Sequence, residues 1–130
     1  MCCPYFHPEA PVDDHRFPHP DRLPLGAAYA GSCTAANLSP TAEMLHDCNL
    51  GYANCAHLPA DRPADAVRLS IRRDPQGLLT IHYSCEAAHA PVSHGLLVFD
   101  PVSSQWHERH VDSRLQRMAE CCVESFRKEQ

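Results

Sequence analysis

The clearest pattern in the chain is the alternation in AVRLSIRR, where Val67, Leu69 and Ile71 are interleaved with Arg68, Ser70 and Arg72. A period of two marks a half-buried strand. Asp74, Pro75 and Gly77 then signal a reversal into LLTIHYSC, in which Leu79, Ile81, Tyr83 and Cys85 share a face, so the two segments are predicted to form an antiparallel hairpin. A third strand, GLLVFD, is expected after the loop EAAHAPVSH, and a turn at Asp100-Pro101 leads into a fourth, QWHERHV. Near the C-terminus the period changes to that of a helix: Leu115, Met118, Cys122 and Phe126 lie on one stripe of DSRLQRMAECCVESFRK. Asp112 or Ser113 can cap it, and Arg127 and Lys128 suit its negative end.

The first half has a different texture. Residues 1 to 30 hold half of the 12 prolines and keep no sustained period, which predicts an extended, irregular segment lying on something else. From Ser39 a helix of about ten residues is predicted, with Ser39 as N-cap, Pro40 in the first turn, Glu43 at the positive end and Gly51 as the stop. Met44, Leu45 and Cys48 would share one side of it. The expected class is α+β: an irregular Pro-rich, Cys-containing N-terminal half with a short helix, then a three- to four-stranded antiparallel meander and a C-terminal helix. At 130 residues this is one domain, with a cysteine-rich half over 1–62 and a sheet-plus-helix half over 63–130.

Composition sharpens the contrast. Aromatic residues make up only 7% of the chain, while cysteines number eight. The first half therefore has little to pack but many potential ligands, and small chains short of core are commonly anchored by disulfides or metal ions. The start, MCCPYFHPEAPVDDHRFP, lacks the pattern of a secretory signal, and no run approaches the roughly 18 to 20 apolar residues of a membrane span. A cytoplasmic protein with reduced thiols is the expectation, with no membrane partner; an even cysteine count would suit a disulfide framework only in an oxidising compartment. A net charge of -5 argues against nucleic acid as a partner, and Arg68, Arg72 and Arg73 read as a solvated strand face.

Cys33, Cys48 and Cys55 follow the spacing C-x14-C-x6-C, and Cys3 precedes them by 30 residues. Four thiolates suffice for zinc or for an iron-sulfur cluster. Structural zinc is usually gripped by close C-x2-C pairs, and this chain has none. A cubane offers four separate iron corners, so its ligands can arrive from distant segments. The spacing thus predicts a [4Fe-4S] cluster on Cys3, Cys33, Cys48 and Cys55, with a structural zinc interaction module as the alternative. Cys48, in the last turn of its helix, sits at the negative dipole end, where only a metal-bound sulfur is favoured as an anion.

Cys2 competes with Cys3 for the fourth position, and Pro4 favours Cys3: Cys-Pro also closes the bacterial ferredoxin motif, a likeness of two residues that assigns no family. Cys85 and Cys122 read as packing residues and Cys121 as lying on the flank of its helix stripe. His82, Glu86, His89 and His94 gather ligand chemistry around one strand and loop, but their spacing matches no catalytic zinc motif. His7, His15 and His19 are candidates to replace one cysteine in a mixed site. With all four irons held by thiolates no position stays open for substrate, so electron transfer or redox sensing with an unidentified redox or protein partner is expected rather than an enzyme.

Overall fold

The computed structural model describes residues 1–13, 15–53 and 55–128. Two antiparallel sheets and two α-helices make up an α+β fold. The larger sheet is a four-stranded meander in the order β3 (Ala66–Arg73), β4 (Leu79–Ala87), β5 (Ala90–Asp100) and β6 (Gln105–Trp106). Val67, Leu69 and Ile71 pair with Cys85, Tyr83 and Ile81, so the apolar sets of β3 and β4 fall on the same face. The turn between them is closed by Asp74, whose carboxylate accepts the N–H groups of Gln76 and Leu78 at 2.9 Å.

Helix α2 (Ser113–Lys128) lies across that face, burying Leu115, Met118, Ala119 and Cys122 against Val67, Leu79, Ile81, Leu97 and Phe99. Asp112 caps it by accepting the Arg114 N–H at 2.9 Å. Cys121 is wholly buried rather than placed on the flank, because β1 (Phe6–Pro11) of the N-terminal half covers that side of the helix. Arg117 fastens the contact, donating to the carbonyls of Pro8 and Glu9 at 2.9 and 2.7 Å.

The N-terminal half is more ordered than its prolines imply. Strand β1 (Phe6–Pro11) pairs with β2 (Tyr29–Cys33), with an irregularity between Pro8 and Ala10. Prolines are tolerated because this is a two-stranded sheet, in which every strand is an edge and half the backbone groups need no strand partner. Nor is this half poor in core: Phe6, Leu25 and Tyr29 are among the largest fully buried side chains and belong to the same cluster as the sheet and α2.

Three other expectations shift. Helix α1 is only Leu45–Leu50, preceded by Met44 with no side-chain cap; Thr41, not Ser39, supplies the hydroxyl and carbonyl that receive its first N–H groups. Its buried face is Leu45, Cys48 and Asn49. The stretch read as a loop with Pro91 and Gly95 is instead the β4–β5 hairpin, turned by Ala88 and His89, both at positive φ, with a register shift that accommodates Pro91. The fourth strand shrinks to Gln105–Trp106.

Candidate functional site

The first residues of the chain are stitched between the sheet and α1. Cys2 forms a bridge with Val67 on the edge of the large sheet, through N–H···O contacts of 2.9 and 2.8 Å. The next N–H, that of Cys3, donates to the Cys48 carbonyl at 3.1 Å, and the Phe6 N–H donates back to the Cys3 carbonyl. Adjacent residues of an extended segment face opposite ways. Cys2 accordingly turns into the core, where burial first, and then the neighbouring Cys122 and Cys121, push its thiol well up. Cys3 turns the other way.

That other side is a cavity lined by Cys3, Cys33, Cys48 and Cys55. Its remaining wall is largely apolar, with Phe6, Met44 and Leu58 among its members. Each thiol arrives on a different support. Cys33 ends β2, directly opposite Phe6 of β1. It then enters a tight turn in which its N–H and carbonyl both bond to Leu38. Cys48 sits on α1, and Cys55 follows in the loop, where its carbonyl accepts the Leu58 N–H at 3.3 Å.

Gly31, two residues before Cys33, makes this packing possible. A Cβ there would run into the His7 carbonyl oxygen. Asn49 holds α1 to β2: its side-chain oxygen accepts the Tyr29 N–H, and its NH2 donates to the carbonyls of Tyr29 and Leu45, all at 2.9 Å.

Backbone donors are aimed at the sulfurs. The Ala36 N–H points to Cys33 Sγ and the His57 N–H to Cys55 Sγ, each at 3.4 Å, while the backbone amides of Tyr5 and Phe6 beside Cys3 act to lower its thiol. Such N–H···S contacts favour the thiolate. Against them stand burial and mutual repulsion. Burial, followed by the proximity of Cys3, Cys33 and Cys55, pushes the Cys48 thiol up to about 12, and burial likewise raises Cys3. Four thiolates at this place require a cation among them; without one, Cys48 holds its proton.

The donor set therefore suits a sulfur-loving metal group. The cavity measures about 340 Å3 out to its mouth, but its enclosed interior is about 10 Å3. That is roughly the room for one water molecule. Among the described residues no group of three or more His, Cys, Asp or Glu side chains is placed to hold a metal ion, so the thiols border one space without closing on a single point.

The histidines are distributed differently from the sequence expectation. None of His7, His15 and His19 lines the thiol cavity; His57 does, and its place two residues after Cys55 was the available signal. His82 and His94 are exposed, Glu86 is buried against Arg68 at 3.1 Å, and His89 stacks on Tyr52 with ring centroids 4.3 Å apart. All eight cysteines are free thiols.

The chain matches no protein-family model, no curated protein and no solved structure. No helix among the described residues is long and apolar enough to cross a membrane.

Proposed function

We propose that this is a small cytoplasmic iron-sulfur protein, holding one [4Fe-4S] cluster on Cys3, Cys33, Cys48 and Cys55 and serving electron transfer or redox sensing. The observation that carries the reading is the meeting of these four thiols, drawn from the N-terminus, β2, α1 and a loop, at one apolar cavity. A bound cluster would supply a one-electron couple. The chain's own part is to orient the four sulfurs, to aim the Ala36 and His57 amides at two of them, and to keep water out with Phe6, Met44 and Leu58. Hydrogen bonds to sulfur and exclusion of solvent are the protein's principal means of setting a cluster's potential.

One observation favours a second reading. The cavity's room, about that of one water molecule, matches a single ion in size though the four thiols do not close on one point, and a structural zinc bound there would make the protein an interaction module. Purification without oxygen, followed by measurement of iron, acid-labile sulfide, zinc and the visible spectrum, separates the two. About four irons and four sulfides per chain in a brown sample are expected for a cubane. A colourless sample with one zinc overturns the cluster in favour of the module, and a sample with neither metal overturns both.

A further inference from the structure

A second cavity, of about 400 Å3, opens between the large sheet and α2. Small-molecule sites commonly fall in the range of about 300–1,000 Å3. Val67, Leu115 and Met118 give it an apolar interior, and Pro4 and Tyr5 close one side. Tyr5 also lines the thiol cavity, so a single residue borders both spaces.

Two polar side chains in its wall have spare donors. The rings of Tyr83 and His110 meet edge to face, with centroids 5.1 Å apart and planes at 87°. His110 Nδ1 accepts the Asp112 N–H at 2.9 Å, which leaves the proton of the neutral ring on Nε2. No hydrogen bond joins this Nε2–H or the Tyr83 hydroxyl to another described residue, and since no buried polar side-chain atom among the described residues lacks a partner, both face solvent in the half-buried wall. Charge, by contrast, is already balanced. Arg114, the cation of this wall, is paired with both oxygens of Asp112 at 3.1 Å, and its guanidinium lies over the Tyr5 ring, 5.2 Å from the centroid.

We propose that this cavity binds an uncharged, mainly apolar small molecule bearing a carbonyl oxygen, which accepts from Tyr83 and His110. The apolar interior favours burial of a hydrocarbon body. A guest with no acceptor would displace water from the two donors and leave them unpaired, whereas one carbonyl oxygen has lone pairs for both. An anionic guest would meet no unneutralised cation. The proposal is independent of what the thiol cavity holds.

The test compares 2-acetylnaphthalene with 2-ethylnaphthalene, which has nearly the same shape and no oxygen. Affinities for the protein as isolated are read by ligand-observed NMR. Occupancy is read separately by protection of Cys85, which lines the cavity, from iodoacetamide in peptide-resolved mass spectrometry. The ketone should bind about tenfold more tightly and protect Cys85. Tyr83→Phe should bring the ratio down to about threefold by removing one of the two donors. Equal affinities for the two probes, binding without protection of Cys85, or no binding of the ketone up to its solubility would each overturn the proposal.

Discussion

Asn49 is the buried polar residue on which the site's architecture turns, and Asn49→Leu isolates its contribution. The side chain is 1% exposed and makes three hydrogen bonds of 2.9 Å, two of them to the backbone of Tyr29. Strand β2 is paired with β1 on one edge only, so at Tyr29 the Asn49 amide takes the place of a strand on the other edge. Leucine has nearly the same volume but leaves the Tyr29 N–H and carbonyl unpaired in the interior, at about 1–3 kcal/mol each. Part of this is recovered because leucine is the more hydrophobic residue. The expected net loss is about 3 kcal/mol, a factor of more than 100 in the folding equilibrium. Urea unfolding under anaerobic, reducing conditions, followed by circular dichroism on metal-free protein, would read it directly. Leu50→Ala, at the adjacent and 42% exposed position, serves as the control and should cost less than about 1 kcal/mol. If Asn49→Leu lies within about 1 kcal/mol of the parent, the bidentate clasp on Tyr29 is not what joins α1 to β2.

Cys48→Ser and Cys55→Ser should each lose metal in elemental analysis, whereas Cys121→Ser should keep it while losing about 1–2 kcal/mol, because its hydroxyl enters a fully buried site; equal metal loss from all three would sink the ligand set. Gly31→Ala should cost at least about 2 kcal/mol, since the new methyl would clash with the His7 carbonyl and backbone must move; a parent-like urea midpoint would rule out the close approach of β1 and β2. Burial holds the Tyr29 phenol up at about 12 in the folded chain, against about 10 when unfolded, so the unfolded state releases that proton first. Stability from this group is intact below about pH 10 and falls between about pH 10 and 12. Tyr29→Phe should flatten that fall in unfolding free energy measured against pH, and an unchanged slope above pH 10 would show that another group causes it.

The parts legible in the sequence were those whose partners lie nearby or repeat regularly. The alternation of Val67, Leu69 and Ile71, the Asp74–Gly77 turn and the stripe from Leu115 to Phe126 are local patterns, and the structure places them as read. The β1–β2 pair was not legible, because Pro8 and Pro11 lie within β1 and its partner begins 18 residues after it ends, at Tyr29. Helix α1 was overread: Ser39, Pro40 and Glu43 fit a helix start, but the chain turns helical only at Leu45, where packing of Leu45, Cys48 and Asn49 takes over. At the thiol site, the four cysteines could be nominated from spacing. The separation of Cys2 from Cys3 depended on the bridge to Val67, a contact spanning half the chain. Asn49 carried no signal at all, since its role exists only against the backbone of Tyr29.

That bridge to Val67 has a consequence for the behaviour of the protein in concentrated solution. Strand β3 is the outer strand of its sheet, and Cys2 occupies its free edge at Val67. An uncovered edge strand is a template for pairing with another chain. On the proposed function, loss of the metal would free Cys3 of one anchor and leave Cys2 to hold the edge through its two backbone bonds to Val67 and its burial. If the proposed metal is present, stripping it should increase concentration-dependent association, visible by light scattering before the far-ultraviolet circular dichroism changes. The segment that carries Cys2 and Cys3 also covers the sheet edge at which another copy could pair.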